Sequence, residues 1–457
     1  MQTLTFTNRL RNLWGGQGTL RQHLAQAAAG SAALALSSKL LMLLTSVLLA
    51  RWMGVQGYGV YATVMALVLL LTVPTGLGLP TLVVRLLASY RVHQQWGLMR
   101  GLLVRGNQAV LGASLVIALI AGAVIWGLGD WLGLTHTGIY ILALVLIPLT
   151  ALGAMRSAAL RGLHHVVLGQ LPENLVMPGL FVALLAAWSA TGSALSPQAA
   201  VGLRLGAVSV AFGVGAWLLL RRLPSQVRQA TPRYDMANWA RAAGPLLFLG
   251  GMSIINTQTD VLMLAAMQGA EAAGIYQAAA RGAELVAFSL VVVNMAIQST
   301  ISRLYAAGEM QRLQRVITTA ARVTVALALP AALMLSLFAR PILGLVFGSE
   351  FERGALCLVI LCGAQVVNAG AGSVGLILKM TGHERDAALG MAFGAFTNVV
   401  LNTALVPVWG IDGAALATGM SLIVWNVFLV ARVWKRLSLD STALGTMALP
   451  RLKSRRK

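Results

Sequence analysis

Apolar runs of about 20 residues recur along this chain from Ser31 to Val433, and they constrain its fold more than any other feature. A run of that length, wound as an α-helix, crosses the roughly 30 Å hydrocarbon layer of a membrane. The 457 residues are 58% hydrophobic and 10% charged, whereas a soluble domain carries about 25% charged residues. We therefore predict an all-α polytopic membrane protein whose single membrane domain occupies nearly the whole sequence.

Breaks at glycine, proline and charged residues divide the apolar sequence into about twelve predicted membrane-spanning helices. Each is long enough to cross a bilayer once. Their bounds are roughly 29–50, 60–80, 102–128, 138–158, 173–190, 198–220, 242–266, 273–302, 316–338, 354–378, 386–407 and 412–432.

The basic residues set the predicted orientation of these helices. Lys and Arg number 34 against 13 Asp and Glu, and they concentrate in alternate short connections, 27 on one side and 3 on the other. Basic residues collect on the cytoplasmic side and meet anionic lipids there. Both termini are therefore predicted to be cytoplasmic, including an amphipathic segment at 1–28 and a basic tail at 437–457. This placement argues against nucleic acid as a partner.

A short motif occurs twice in the chain, 215 residues apart. Gly54, Gly59 and Tyr61 of the first copy match Gly269, Gly274 and Tyr276 of the second. An even number of predicted helices separates the copies, which predicts two halves of the same orientation with a substrate path between them. Coincidence between two glycine-rich turns is the other interpretation.

The repeat divides the chain into two six-helix lobes around a central cavity. The N-terminal lobe is predicted at 29–220 and the C-terminal lobe at 242–436. A basic cytoplasmic linker at 221–241, which contains Pro224 and Pro232, joins them.

Several segments resemble one family of transporters. The run Leu49 to Ala62, with Arg51-Trp52-Met53-Gly54 at its centre, is similar to the first external turn of the polysaccharide-transport flippases of the multidrug/oligosaccharidyl-lipid/polysaccharide exporter superfamily. Arg161-Gly162-Leu163 with Gly169-Gln170-Leu171-Pro172-Glu173 resembles the connection before their fifth helix. Thr259 to Leu264 with Ala279-Ala280-Arg281 resembles the start of their second half. The resemblance covers about residues 30 to 435.

The resemblance implies a function and a location. It implies a flippase of the bacterial inner membrane that moves an undecaprenyl-diphosphate-linked oligosaccharide from the cytoplasmic to the periplasmic leaflet, by alternating access. The glycan would serve O-antigen (lipopolysaccharide), capsule or exopolysaccharide assembly, with polymerase and chain-length proteins as possible partners. Family members have two six-helix lobes around a cavity that is often cationic.

Ionisable residues inside predicted helices are the candidates for transport, because each costs at least about 2.5 kcal/mol at a helix centre. Lys39 is a candidate diphosphate contact, with snorkelling or a structural pair as the alternatives. Asp260 and Glu284 are candidates for coupling to H⁺ or Na⁺, or for ion pairs with Arg281. Further cationic candidates for the diphosphate or the cavity are Arg51, Arg85 and Arg281, whereas Arg204 has no assigned role. Candidate polar lining residues are Ser253, Asn256, Gln365, Asn368, Asn398 and Asn402.

No catalytic or metal site is predicted, and no resident cofactor. Cys357 and Cys362 are expected to be core residues, and a phosphate-cradling Gly-Lys-Ser/Thr motif is missing from the sequence. The chain is therefore predicted not to be an enzyme. A drug or cation antiporter of the same superfamily is the alternative carrier. A glycan polymerase or ligase is less favoured, because the longest predicted outer connection is only about 338–353.

Overall fold

The computed structural model describes residues 17–129 and 137–446, and all regular structure in these two ranges is helical. The predicted segment at 1–28 and tail at 437–457 thus lie partly outside the described residues. The first half contains α1 (Gln17–Thr75), α2 (Leu79–Val92), α3 (Trp96–Leu128), α4 (Thr137–Leu144), α5 (Leu146–Gly162), α6 (Val166–Leu171), α7 (Met177–Ser189) and α8 (Pro197–Arg222).

The second half follows a short connecting helix, α9 (Ser225–Gln229). A π-helical turn precedes α7, and a 3-10 turn precedes α14; they lie at Pro172–Val176 and Ser349–Gly354. The helices of the second half are α10 (Met236–Gln268), α11 (Ala270–Ala306), α12 (Met310–Leu337), α13 (Ala339–Val346), α14 (Ala355–Ala371), α15 (Val374–Met380) and α16 (Glu384–Leu437).

Nine helical stretches in the described residues are long and apolar enough to cross a membrane. Two of them, within α1 and α16, bend sharply at Gly54 and Gly410, so each crosses twice. A further helix, α10, has 33 residues but lies outside the nine. Its polar stretch from Ser253 to Asp260 lowers its mean hydropathy. The protein is therefore a multi-pass membrane protein with about twelve spans.

One predicted span is five residues too long. The second was expected to reach residue 80, but α1 ends at Thr75. Gly78 follows with a φ of 69°, a left-handed conformation that glycine adopts without strain. Pro80 then occupies the first turn of α2, where its missing N–H costs nothing. The chain therefore turns at residues 76–78 and begins a new helix.

The two copies of the repeated motif adopt the same backbone conformation. Gly54 has φ 67° and ψ −178°, and Gly269 has φ 89° and ψ 176°. A residue with a Cβ is strained at such angles. Each glycine joins two membrane helices without an intervening loop. The match supports an internal repeat over coincidence.

The halves meet at the end of the bundle that carries Gly54 and Gly269, called here the outer end after the predicted orientation. Gly59 and Gly274 are packed against each other there: a Cβ on Gly274 would lie 3.0 Å from the Gly59 Cα. Both copies of the motif therefore lie at one end, which gives the two six-helix lobes the same orientation. Residues from both lobes, such as Tyr58 and Ile275, share one hydrophobic core.

The opposite, inner end is organised differently. Each lobe has its own smaller hydrophobic cluster there, around Leu87 in the first lobe and Ile377 in the second. The start of α10 crosses to the first lobe, where the Trp239 indole N–H donates to the Tyr90 hydroxyl at 2.9 Å. The lobes thus share a core at the outer end and have separate clusters at the inner end.

Candidate functional site

A central cavity of about 210 Å³ lies between the two lobes. The first lobe contributes residues of α1, α7, α8 and the π-helical turn, and the second lobe contributes residues of α10 and α11. Polar side chains supply much of the lining. They include Ser46, Glu173, Asn174, Arg204, Gln258 and Arg281.

Three further cavities share lining residues with the central one. The N-side pocket, about 240 Å³ in volume, shares Glu173 and Arg204 with it. The C-side pocket, also about 240 Å³, shares Gln258 and Arg281. A groove of about 110 Å³ between α1 and α11 shares Arg281 as well. Arg281 therefore stands where three of these cavities meet.

Lys39, Arg281 and Glu284 form a charged cluster between α1 and α11, called here the cation cluster. The Lys39 Nζ lies 2.9 Å from Glu284 Oε2, and the Arg281 Nη1 lies 2.8 Å from Glu284 Oε1. Lys39 and Glu284 keep 47% and 40% of their side-chain surface exposed. Two cations share one carboxylate, so the cluster carries one formal positive charge. It lines the groove between α1 and α11.

Asp260 lies in the second lobe, 3% exposed, and is bound only by neutral donors among the described residues. The Tyr276 and Thr418 hydroxyls donate to its Oδ2 at 2.8 and 2.7 Å. The Asn398 and Asn402 amides donate to its Oδ1 at 2.9 and 2.7 Å. Of the two predicted partners of Arg281, the structure thus pairs it with Glu284, while Asp260 accepts hydrogen bonds from neutral side chains.

The other predicted polar lining residues have varied positions. Asn256 donates to the Met391 carbonyl at 3.1 Å, whereas Ser253 is exposed. Asn368 donates to Gln365 at 3.2 Å and accepts from Asn426 at 3.0 Å, which links α14 to α16. Gln365 also lines the C-side pocket. The pattern joins helices to each other around that pocket.

Arg51 and Arg85 lie away from the cavities described above. Arg51 donates from Nε to the Val346 carbonyl at 2.8 Å and from Nη2 to the Leu345 carbonyl. Glu350 makes a second polar contact between the lobes there, accepting from the Val55 N–H at 2.9 Å. Arg51 therefore helps to hold the outer ends of the lobes together. Arg85 is an exposed residue of α2.

Sequence reasoning missed the polar centre of the first lobe. The Arg204 Nη1 donates to the Tyr61 hydroxyl at 3.0 Å. Tyr61 is the repeat partner of Tyr276, which binds Asp260. The matched tyrosines thus contact a cation in one lobe and an anion in the other. Only the match between the two tyrosines in the sequence could have indicated this relationship.

Within residues 17–129 and 137–446, no group of three or more His, Cys, Asp and Glu side chains is arranged to hold a metal ion. Cys357 and Cys362 are both buried as free thiols. The charged groups that line the central cavity and the cavities beside it lie in the cation cluster, the Asp260 site and the Glu173–Arg204 region.

Comparison with known families gives these features a context. A model of a family described as "Polysaccharide biosynthesis protein" matches residues 27–305. The chain belongs to that family. A second family model, MatE, matches residues 248–404. The two matches together cover nearly all of both lobes.

Two relatives from Haloferax volcanii are similar over parts of the chain. One is named a probable low-salt glycan biosynthesis flippase, Agl15, and is 29% identical over 34% of this chain and 33% of its own length. The other is named a probable flippase, AglR, and is 26% identical over 49% of this chain and 46% of its own. The chain thus spans about a third to a half of the length of these two relatives.

Two solved structures share the fold. An inward-facing multidrug resistance MATE family transporter of the MOP superfamily aligns with a TM-score of 0.70 at 14% identity, over 88% of this chain and 94% of its own. The lipid II flippase MurJ, in an inward closed conformation, aligns with a TM-score of 0.69 at 14% identity, over 88% and 87%. These similarities establish a transporter fold of the MATE and MurJ type.

Proposed function

We propose that this protein is a flippase that moves an undecaprenyl-diphosphate-linked oligosaccharide across the bacterial inner membrane, from the cytoplasmic to the periplasmic leaflet. The glycan would serve O-antigen, capsule or exopolysaccharide assembly. Membership in a polysaccharide biosynthesis family and two relatives named as probable flippases support this proposal. Anionic lipids around the basic connections, and polymerase and chain-length proteins of the same pathway, are its proposed partners.

The observation that carries the proposal is the cation cluster beside the central cavity. A lipid diphosphate is anionic, and it needs fixed cations when it leaves the headgroup region. Lys39 and Arg281 hold a single carboxylate between them, so an incoming diphosphate can displace Glu284 and bind two cations. The apolar groove beside the cluster offers contacts for the adjoining isoprenoid chain; it is lined by Leu36, Leu40, Leu43 and Phe288.

Alternating access is the proposed mechanism. The shared core and the Gly59–Gly274 contact close the outer end, while the clusters of the inner end are separate. This arrangement supports a state in which the cavity receives its substrate from the cytoplasmic side. Release on the other side requires the outer contacts to separate and the inner ends to approach.

The test is transport by the purified protein in liposomes. Undecaprenyl-diphosphate-linked oligosaccharide is placed in one leaflet, and its appearance in the other is followed by cleavage with an added glycosidase. We expect wild-type protein to expose the glycan and Arg281→Ala to lose this activity. Arg322→Ala is the matched control, because Arg322 contacts carbonyls near the C-terminus instead. Equal cleavage with empty liposomes would contradict the proposal.

The same liposomes address the alternative functions. A drug or cation antiporter would move ethidium across the membrane in exchange for an ion that flows down its imposed gradient. It would leave the glycan inaccessible. The net positive cation cluster disfavours cationic cargo by like-charge repulsion. A glycan polymerase or ligase would lengthen or transfer the glycan, which chromatography of the extracted lipid would reveal.

Coupling to Na⁺ or H⁺ is proposed at Asp260. The side-chain oxygens of Asn398 and Asn402 make no hydrogen bond within the described structure and lie in the same polar cluster as the carboxylate. A carboxylate and amide oxygens are the ligands that hard cations prefer. Transport by wild-type protein is expected to depend on a Na⁺ or H⁺ gradient, and insensitivity to both gradients would exclude this role.

A further inference from the structure

A second polar pocket opens from the central cavity into the first lobe. This N-side pocket is bounded by α5, the π-helical turn and α8. Glu173 and Arg204 line both cavities, so the pocket is a side branch of the central one. It lies on the far side of the central cavity from α10 and α11, which carry Gln258 and Arg281.

Glu173 is the unusual group in this pocket. Among the described residues it makes no hydrogen bond and no ion pair within 4.0 Å, although the positive charges of Arg161 and Arg156 act on it. Its side chain is exposed, and the surface it exposes lines the two cavities. A carboxylate that faces an open cavity without a protein donor is hydrated there, and a ligand that enters the cavity can donate hydrogen bonds in place of that water.

The local backbone explains how Glu173 reaches the cavity. It is the second residue of a π-helical turn that begins at Pro172. Such turns insert an extra residue into a helix and are frequent at functional sites. Gly153 lies opposite, where a Cβ would approach the Glu173 carboxylate to 3.2 Å. The missing side chain at Gly153 leaves room beside the carboxylate.

The two arginines of the pocket differ in how many of their hydrogen-bond donors are already in use. Arg156 is held by carbonyls of Leu152 and Phe212 and lies 3.4 Å above the Phe212 ring, so it forms part of the wall. Arg204 has one hydrogen bond, to Tyr61, and keeps further N–H donors. The pocket thus offers an acceptor at Glu173 and donors at Arg204 and Ser157.

We infer that this N-side pocket binds one sugar ring of the lipid-linked glycan, with Glu173 accepting hydrogen bonds from its hydroxyl groups. The inference rests on the proposed flippase function. A polyhydroxylated ring presents donors and acceptors together, which matches the mixed lining of the pocket. The volume of about 240 Å³ accommodates roughly eight waters at about 30 Å³ each, the size of one pyranose ring.

The arrangement gives the substrate a direction in the site. The cation cluster lies on the side of α1 and α11, with Arg281 lining the central cavity. The N-side pocket lies across that cavity. A diphosphate at the cluster therefore directs the attached saccharide towards Glu173, which makes Glu173 a specificity residue for the glycan instead of a contact for the lipid.

The test compares two lipids that differ only in the sugar. The full-length protein in nanodiscs is titrated with undecaprenyl-diphospho-N-acetylglucosamine and with sugar-free undecaprenyl diphosphate. We expect Glu173→Ala to weaken binding of the glycosylated lipid about tenfold, as for the loss of a hydrogen bond to a charged group, and to leave the sugar-free lipid unaffected. Arg281→Ala should weaken both. Glu309→Ala, which removes a surface carboxylate paired with Arg312, should weaken neither.

The outcomes separate the inference from the function on which it rests. If wild-type protein binds neither lipid, the proposed substrate class is wrong. If it binds both and Glu173→Ala affects neither or both equally, the sugar pocket is wrong and the flippase proposal stands. Glu173→Gln keeps the shape and an acceptor oxygen, so it should retain part of the preference for the glycosylated lipid. Full preference in Glu173→Gln together with lost pH dependence of transport would assign Glu173 to proton transfer and overturn the inference.

Discussion

Gly59 and Gly274, which occupy the same position in the two copies of the repeat, pack against each other where the lobes meet. A Cβ on Gly59 would lie 1.7 Å from the Ala270 carbonyl oxygen, and one on Gly274 would lie 2.6 Å from the Val55 carbonyl oxygen. Both obstacles are backbone atoms, which cannot turn aside as a side chain does. The close approach of the lobes at the outer end therefore requires glycine, which has no Cβ, at both positions.

Gly59→Ala should separate the lobes at this contact and lower the stability of the purified protein by about 1–3 kcal/mol, the usual cost of overpacking. The melting temperature in detergent measures this change. Gly206→Ala is the control, because a Cβ there meets no atom within 4 Å and alanine is the better helix former. Equal melting temperatures for Gly59→Ala and wild type would show that the contact does not hold the lobes together.

Lys39→Ala and Glu284→Gln should change diphosphate binding in opposite directions. The first variant removes a cation from the cluster, and the second releases both cations from their shared carboxylate. Relative to wild type, we expect undecaprenyl diphosphate to bind about tenfold more weakly to Lys39→Ala and several-fold more tightly to Glu284→Gln. Lys39→Ala should also abolish glycan export in cells at normal protein abundance. A purely structural pair would instead lower abundance in both variants.

Asp260→Asn should remove the response of the protein to sodium. We expect NaCl, compared with choline chloride, to raise the melting temperature of wild type by linkage and to leave that of Asp260→Asn unchanged. Asp386→Asn is a suitable control, since that buried carboxylate pairs with Arg432 and Arg436 in the inner part of the second lobe. A sodium response that persists in Asp260→Asn would place the ion elsewhere.

Arg51→Gln should loosen the outer end, because it removes the hydrogen bonds to the carbonyls of Leu345 and Val346. Labelling of Gln258→Cys in the central cavity by an impermeant maleimide added outside should become several-fold faster, in line with the loss of charged hydrogen bonds. The native cysteines are buried and give little background. Arg353→Gln should leave labelling unchanged, because its pair with Glu271 is largely exposed.

Much of the fold was accessible from the sequence. Apolar length located the membrane spans, and α16 contains the last two of them on either side of Gly410. Matching backbone angles at Gly54 and Gly269 support the predicted repeat. A position that needs positive φ usually carries glycine, so this conformation could be anticipated from the sequence. The end of α1 was misplaced because Leu77 and its neighbours are apolar enough to continue a span, and hydropathy does not register a turn of backbone.

The candidate site was less accessible, because its contacts join distant parts of the chain. Lys39 has no acidic neighbour in sequence, and its partner Glu284 follows 245 residues later. The four donors to Asp260 come from α11 and α16, so no local spacing indicates them. Glu173 was visible only as part of a motif, since its exposure to the cavity depends on the π-helical turn.

The sharp bends at Gly54 and Gly410 leave almost no free polypeptide between the spans that they join. Epitope tags and protease sites for topology mapping are usually placed in such connections, where the chain tolerates insertion. Here an insertion would interrupt the junction between two helices. The junction at Gly54 also packs against Glu350 of the opposite lobe. The exposed turn around Gly192, where a Cβ meets no atom within 4 Å, is the more forgiving position for a reporter.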